Sequence, residues 1–581
     1  MLSSIEQRLH TAAEAEGSNA IVYRIAWVET TVVVLNGVSG LLATYLHVLT
    51  RHSSFKNCWQ NLLDHYRLLL ELDILDINTA VFKALGQILV SASTKAELEV
   101  VLDQDSVDLV WQLWSKGLPL TTEETSGTNN QNCLTAYIAC LKELYRLIQE
   151  DIDFNRTQRI LVLLQDTVKQ ANVASYSADI EYLTTLQTQV LEALKMIRTD
   201  VTGVPAALIT QVAAFSALPF QDENIVQSDR QRPTYVALSK ASMTLLESLV
   251  ISHAQELEIY TKSALSSSLI ALSKPIALKY AFSVKTKSIP PWRHATNTAL
   301  AILKATVPVL RRDTPVMERE SIPAEDEQSI WAAIVKISNG IIAANCNAES
   351  KASSIKDDQD LDVESFLTLR SLIIPTLGRQ YIPDSTRRAY TEALFYNSII
   401  HAPELRELPQ QNQDFLASLY QIRKGRTVDP PPSSRTKMSY VCLQELFSLV
   451  QVRFSLLHDV LLAKAAAPYL ILRASLTLRA YIADQPLRGL MPQPLSQRKE
   501  LLYILKALVE LECEVEAIPD TPGIEGDGKN HLYRLYPLLA KAVRVAARDQ
   551  EVLEWLGKAL DEVGNEINGR VLDELDDEID T

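Results

Sequence analysis

The sequence has little glycine, with 17 residues in 581, and it shows no sustained alternation of polar and apolar side chains. Turn-rich β folds need both features, so the two absences argue against an all-β architecture. Apolar residues recur instead at helical spacing along most of the chain. Because hydrophobic residues make up 47% of the sequence, a substantial core is available and global disorder is not expected.

An excess of positive charge is also missing, since the formal net charge is -15. Nucleic-acid binders usually carry a basic face, so this composition argues against a general nucleic-acid binder. It argues equally against attachment to anionic lipid through the whole surface. A local basic patch could still contact such a membrane.

Motifs of catalysis and metal binding are absent. The six cysteines form no C-x-x-C pair, which is typical of a reduced, cytosol-facing compartment. No nucleophile elbow, P-loop, dinucleotide fingerprint or H-E-x-x-H occurs. An acidic run from Asp357 to Glu364 has the composition of a calcium loop but lacks its central glycine and distal glutamate, so we interpret it as a helix N-terminus. We therefore predict no enzyme activity, no cofactor and no metal.

Linkers divide a chain that is too long for one compact core. The clearest are the stretches 219–233 and 424–437, which contain proline. Helices in pairs and triples have the period of HEAT and armadillo units, about 40 to 50 residues. The predicted fold is all-α, an α-solenoid of HEAT/armadillo-like helical hairpins. We predict N-terminal repeats over 1–215, central repeats over 234–423, C-terminal repeats over 438–568 and a disordered acidic tail over 569–581.

Residues 233–312 show the helical pattern most clearly, in three amphipathic runs. We place the ends of these runs near Ser252, Leu272 and Leu310. None can bury its apolar face alone, so each must stack on a neighbour. Function is therefore expected in the surface of the stack rather than in a catalytic pocket.

An elbow is predicted at Pro275, which should stop the second of these helices. We select Lys274, Lys279 and Tyr280 at this elbow as candidate partner-binding residues, suited to an acidic partner or a phosphoinositide. A solvated loop and a purely structural role for Pro275 are the alternatives. Two wider basic sets share this ambiguity: Lys285, Lys287 and Arg293 near the elbow, and Arg423, Lys424, Arg426, Arg435 and Lys437 beside the second linker.

The stretch from Thr30 to Thr50 contains no formal charge and is long enough to cross a bilayer. Asn36, Ser39 and His47 lie within it, and no basic cluster or aromatic belt flanks it. We therefore predict one or two buried helices here, bent or broken near Asn36, rather than a membrane span.

Several motifs resemble a known family when they are taken in order along the chain. Each alone is weak, because helical sequences share such patterns, and the collinear order carries the resemblance. The motifs are CWQNLLDH at 58–65 with NTAVFKALGQIL at 78–89, LVW at 109–111 with Trp114, SKPIALKY at 273–280, DVESF at 362–366 with SIIH at 398–401, and YIADQPLR at 481–488 with LSQRKELLYILKA at 495–507 and LYPLL at 535–539.

In this order the motifs resemble the C-terminal region of the monensin-sensitivity protein family. Its members are large Golgi and endosome scaffolds, related to the large Arf guanine-nucleotide exchange factors but without their catalytic domain. The resemblance implies a non-catalytic peripheral membrane scaffold for endosome-to-Golgi transport, located at the cytoplasmic face of these membranes. It also implies three partners: a Dopey-family protein, a phospholipid flippase and an Arf-like GTPase. Regulation of an Arf-like GTPase and a karyopherin-like transport receptor remain alternatives.

Overall fold

Helices form almost all of the regular structure in the computed structural model. Two short 3-10 turns and one isolated antiparallel bridge, between Gln451 and Cys513, complete it within the described residues. The structure describes residues 4–5, 7–8, 11, 18–95, 102–118, 130–172, 178–221, 234–311 apart from 283 and 285, 322–343, 352–401, 435–452, 457–484, 495–518 and 528–579 apart from 547.

The helices are numbered in chain order. The first group is α1 (Ser18–Leu49), α2 (Phe55–Glu71), α3 (Leu75–Lys95), α4 (Gln104–Trp114), α5 (Gln131–Ile148), α6 (Phe154–Lys169), α7 (Ala178–Glu181), α8 (Thr185–Met196), α9 (Val204–Ala217), α10 (Val236–Ser252) and α11 (Glu258–Thr261). The second group is α12 (Ala264–Ala277), α13 (Pro291–Leu310), α14 (Ala324–Ile342), α15 (Ala352–Leu377), α16 (Asp384–Ser398), α17 (Thr436–Val450), α18 (Leu457–Ala483), α19 (Leu495–Glu510), α20 (Asn530–Val545) and α21 (Gln550–Ile579).

Side chains that satisfy backbone amides start several of these helices. Asp103 accepts from the backbone amide of Ser106 and caps α4. Thr184 and Gln187 form a reciprocal capping box at the start of α8. Such caps satisfy donors that an α-helix leaves unpaired, each contributing about 1 kcal/mol.

The first compact unit comprises residues 1–271 and 284–294. In it α1 packs on α3, α3 on α5 and α5 on α8, which forms one row of helices. A second layer runs beside this row, because α2 contacts α4 and α6 contacts α9. Trp111 and Trp114 of α4 are both buried in this unit. Trp114 stacks on Tyr137 with ring centroids 4.7 Å apart, and each side chain donates a hydrogen bond to the other's carbonyl.

The second compact unit comprises residues 272–283 and 295–581. Its helices also form two layers. In one layer α16 packs on α14 and α18, and α18 packs on α20. In the other α15 packs on α17, and α19 packs on α21. The predicted all-α solenoid of helical hairpins is confirmed by this arrangement within each unit.

Prolines interrupt fewer helices than expected. Proline inside a helical pattern favours a helix end or a break, at Pro375 and Pro468 as at Pro275, yet each of the three lies inside a helix: α15, α18 and α12. A proline removes one backbone hydrogen bond, a loss that packing of the apolar faces on both sides can offset. The chain breaks elsewhere instead, for example between α17 and α18 and at Ser263, whose φ is 57°.

The N-terminal apolar stretch differs most from expectation. It forms one continuous helix, α1, rather than helices broken near Asn36. Its segment Val22–Leu49 is long and apolar enough to cross a membrane, yet only 22% of its apolar stretch is buried against the rest of the protein. The prediction of buried helices is therefore wrong here. A second segment, Val460–Ala483, is also long and apolar enough to cross a membrane, but it is 78% buried and forms part of the core.

The domain boundaries of the sequence prediction lie largely outside the described residues, at 222–233 and 402–434. The three-part division therefore remains a prediction beside the two units. The acidic tail differs from expectation, because α21 continues through it to Ile579.

Candidate functional site

The three residues predicted to bind a partner lie in very different environments. Lys274 is half-buried in the last turn of α12, and Tyr280 is half-buried just beyond it. Lys279 is only 7% exposed. Its ammonium group is enclosed by the chain, so a partner on the surface cannot reach it without rearrangement.

Lys279 belongs to a set that we call the buried ion cluster: Lys279, Asp362 and Arg435. The Lys279 ammonium lies 2.9 Å from Oδ2 of Asp362 in α15, and the guanidinium of Arg435 contacts the same oxygen. Both cations also donate to the last carbonyls of α14: Lys279 to Ile341 at 2.7 Å, and Arg435 to Ile342 at 3.0 Å. The cluster therefore joins four segments of the second unit.

The position of the cluster follows from the end of α14. The last carbonyls of a helix lack intrahelical partners and carry the negative end of its macrodipole, so they attract cations. Burial lowers the pKa of Lys279 to about 8, and the negative charge of Asp362 opposes this shift. Two cations therefore share one contacting carboxylate and a set of carbonyl dipoles in a water-poor site.

The acidic run of the sequence supplies the matching charges. The run does not start a helix as predicted, because α15 begins at Ala352 and the acids lie within it. Asp362 meets Arg435, and the exposed Asp360 meets Lys437. Two basic residues beside the predicted second linker are therefore paired within the chain. Arg423, Lys424 and Arg426 lie outside the described residues.

The remaining basic residues near the elbow belong to the other compact unit. Lys287 is exposed, and its loop is anchored by Glu181, whose carboxylate accepts from the Lys287 amide and from Ser288 Oγ at 2.9 Å. Lys240 also donates to Ser288 Oγ at 2.7 Å. Arg293 is half-buried at the start of α13, and Lys285 is not described. The predicted basic set is thus divided between the two units.

A second buried ionic group was not anticipated from the sequence. Arg473 of α18 lies 2.5 Å from Glu500 of α19, which also contacts Thr477 at 2.9 Å and His401 at 2.6 Å. Burial acts to raise the pKa of Glu500, but the charge of Arg473 and the hydrogen bonds from His401 and its other neighbours hold it at about 2. No sequence motif marks these residues, because they are brought together only by helix packing.

A cysteine and a histidine also meet inside the second unit. His531 Nδ1 lies 2.6 Å from Cys513 Sγ, and Nε2 lies 2.7 Å from the carbonyl of Leu508. Burial lowers the pKa of His531 to about 4, so the ring is neutral, donates to Leu508 and accepts from the thiol. Both side chains are fully buried, so a substrate has no access to this pair and its role is structural.

The described residues contain no group of three or more histidine, cysteine, aspartate or glutamate side chains that could hold a metal ion. In this part of the chain, the clustered charges described above make contacts between helices.

These features define a class of protein: an all-α helical-repeat chain in which ionic groups fasten successive helices. More particularly, its sequence is similar to MON2 proteins of three organisms. Protein MON2 of Saccharomyces cerevisiae is 23% identical over 474 residues, which cover 74% of this chain and 26% of the yeast protein. The human MON2 homolog is 20% identical over 648 residues, covering 94% and 35% of the two chains. The Schizosaccharomyces pombe homolog is 22% identical, covering 69% and 24%.

The chain spans about a third or less of the length of these curated relatives. No protein-family model matches it. Among solved structures, a circular tandem repeat protein with novel repeat topology and enhanced subunit contact surfaces covers 99% of this chain at 13% identity. The TM-score of that pair is 0.25, which is too low to indicate a shared fold.

Proposed function

We propose that this chain is a non-catalytic scaffold in vesicle-mediated protein transport from endosomes to the Golgi. It binds protein partners through the surface of its helical repeats, at the cytoplasmic face of these membranes. The observation that carries the proposal is the similarity to human MON2 over 94% of the chain. The MON2 relatives support a trafficking-related scaffold in general, and the helical-repeat fold fits a protein without enzyme activity.

The proposed partners are those that the family resemblance implies: a Dopey-family protein, a phospholipid flippase and an Arf-like GTPase. Helical repeats bind other proteins through extended surfaces assembled from many helices. The arrangement of charged side chains inside the two units limits which basic residues can contact a partner. Lys274 and Lys287 remain accessible in part or in full, whereas Lys279 is buried in the ion cluster.

The test is proximity labelling with the 581-residue chain in cells that lack the intact family member. The proposal expects labelled Golgi and endosomal proteins, with at least one of the three partners among them. Diffuse labelling of the cytosol without these proteins would contradict it. Nucleotide release from the recovered Arf-like GTPase, measured with added chain, separates the scaffold from an exchange regulator, since a scaffold leaves the release rate unchanged.

Charge reversal then tests the elbow as a binding site. Lys274→Glu and Lys287→Glu are made singly, because the two residues belong to different units. Lys541→Glu, on an exposed position of α20, makes the same charge change and serves as the control. Loss of one partner in either elbow variant but not in the control supports binding there. Lys279→Glu is unsuitable, since a carboxylate beside Asp362 would disrupt the fold.

A further inference from the structure

A surface loop of the first unit is fastened through the hydroxyl group of Ser288. The loop covers residues 284–290, just before α13, and its described residues form neither helix nor strand. The Oγ atom of Ser288 donates a hydrogen bond to the carboxylate of Glu181 in α7 at 2.9 Å. The ammonium group of Lys240 in α10 donates to the same Oγ at 2.7 Å. One hydroxyl group therefore lies between an anion and a cation that belong to different helices.

The surroundings of Ser288 suit a protein kinase. Lys287, Ser288 and Ile289 are all exposed, and an irregular segment can enter an active site without the unfolding of a helix. The sequence places Lys285 three residues before Ser288 and Lys287 one residue before it. A kinase with an acidic substrate groove selects basic residues on this side of its acceptor, because the charges are complementary. Backbone form, exposure and sequence therefore all favour modification at Ser288.

Phosphorylation would end the contact between Ser288 and Glu181. Ser288 Oγ attacks the γ-phosphorus of ATP, a new O–P bond forms, the bond to the leaving oxygen of ADP breaks, and the hydroxyl proton passes to the kinase. The ester oxygen that remains has no proton to donate to Glu181. Phosphate also adds about −1.5 to −2 charges beside this carboxylate. Hydrogen bonds from the Lys287 amide and the Ser288 hydroxyl hold the pKa of Glu181 below its ordinary value, so it is ionised and repels the phosphate.

Lys240 would gain from the same change. It is half-buried, and burial lowers the pKa of Lys240 while the negative charge of Glu181 opposes this shift. A phosphate group carries more charge than one carboxylate, and its hydrogen bonds to an ammonium group are stronger than that of a neutral hydroxyl. The modified serine therefore has an attractive neighbour on one side and a repulsive one on the other.

We infer that Ser288 is a phosphorylation site for a kinase that selects basic residues, and that its phosphate transfers the loop from Glu181 to Lys240. The transfer moves Lys287 and Ile289, which the loop carries, relative to Tyr182. Ile289 is 53% exposed and Tyr182 is 79% exposed, so modification changes the surface that this part of the first unit presents. The inference does not depend on the proposed trafficking function.

The site is tested by incubating the 581-residue chain with ATP and the catalytic domain of protein kinase C, then mapping phosphate by tandem mass spectrometry. Ser248 is the internal control, since it is exposed in α10 but follows Glu247 and has no basic residue at the three preceding positions. We expect at least about tenfold more phosphate on Ser288 than on Ser248, and none at residue 288 in Ser288→Ala. A basic substrate peptide in the same reaction reports that the kinase is active. Phosphorylation of that peptide while Ser288 is modified no more than Ser248 would overturn the inference.

The movement of the loop is tested on the phosphorylated chain. The amide of Lys287, which donates to Glu181 in the unmodified chain, should exchange with deuterium at least about tenfold faster. Glu181→Ala should show this faster exchange without phosphate. In a ³¹P NMR titration, the second pKa of the phosphate should be higher in Lys240→Met than in the native chain, because the ammonium group stabilises the dianion. Unchanged exchange of the Lys287 amide, or equal titration in the two chains, would contradict the transfer.

Discussion

Replacement of Asp362 by asparagine should be among the most damaging conservative changes in the second unit. Asp362 is the carboxylate that contacts both cations of the buried ion cluster. Without it, Lys279 and Arg435 face each other, and no carboxylate in direct contact with both remains to balance their charge, although Asp358 still acts on Lys279. Removing one partner of a buried ionic group costs about 3–5 kcal/mol, because the remaining charge stays desolvated.

Removal of one cation should cost much less than removal of the anion. In Lys279→Met, Arg435 still pairs with Asp362 and still donates to Ile342. The variant also avoids the free-energy cost of burying the Lys279 ammonium group, the same desolvation that lowers the pKa of Lys279. We expect a cost of about 1 kcal/mol, mainly for the weaker pairing of the Ile341 carbonyl. The asymmetry between the two variants distinguishes an ionic cluster from a simple packing contact.

Hydrogen–deuterium exchange read by mass spectrometry is the suitable assay, because a chain of two units need not unfold in one step. In Asp362→Asn, amides of α14 and α15 should exchange about a hundredfold to about five thousandfold faster. Amides of α3 and α5, in the other unit, are the internal control. Equal effects of Asp362→Asn and Lys279→Met would refute the reasoning, as would no effect of either.

The pH dependence of the same cluster has a definite sign. The pKa of Lys279 is about 8 in the folded chain and about 10.4 when unfolded. Between these values the unfolded chain holds one more proton, so this lysine makes the folded state more stable as pH rises. The native chain should therefore gain stability relative to Lys279→Met from pH 8 to 10. A difference in the free energy of unfolding that does not change over this range would contradict the lowered pKa of Lys279.

Four further changes probe other parts of the chain. The pKa of His531 is about 4 when folded, so stability should fall by up to about 3 kcal/mol as pH falls from 6.5 to 4, and His531→Gln should remove this slope in acid titrations. Glu500→Gln should cost about 3–5 kcal/mol, seen as faster amide exchange in α18 and α19. Gly203→Ala should destabilise the first unit by about 1–2 kcal/mol, since Gly203 has φ 90°. Gly557→Ala, in open helical space, should instead stabilise by up to about 1 kcal/mol, and denaturation midpoints compare the two.

Local sequence signals predicted the helices that they encode directly. The apolar spacing that includes Trp59, Leu62 and Tyr66 predicts a helix over 54–72, and α2 spans Phe55–Glu71. Pro383 followed by Asp384 predicts a helix start, and α16 begins at Asp384. These elements depend on an apolar period or a cap, both of which are contained in a few consecutive residues.

Long-range pairing could not be predicted in the same way. Lys279 is 83 positions from Asp362, and Asp362 is 73 from Arg435. In the sequence alone, each of these three residues is indistinguishable from a charge on the surface. Only the packing of the helices shows that the three side chains contact one another. The apolar character of α1 likewise predicted burial, but composition does not reveal whether a neighbour covers both sides of a helix.

The two ionic groups of the second unit also bear on the covalent continuity of the chain. His401 and Ser398 are held by Glu500 and Arg473 at one end of the span 402–434, and Arg435 is held by Asp362 at the other. Ion pairs and hydrogen bonds therefore hold the residues at both ends of this span in place, independently of the peptide that joins them. A cut or an insertion between 402 and 434 should therefore leave the contacts on either side of the span intact. The second unit can then change its sequence there, or be assembled from two pieces, without giving up its helical stack.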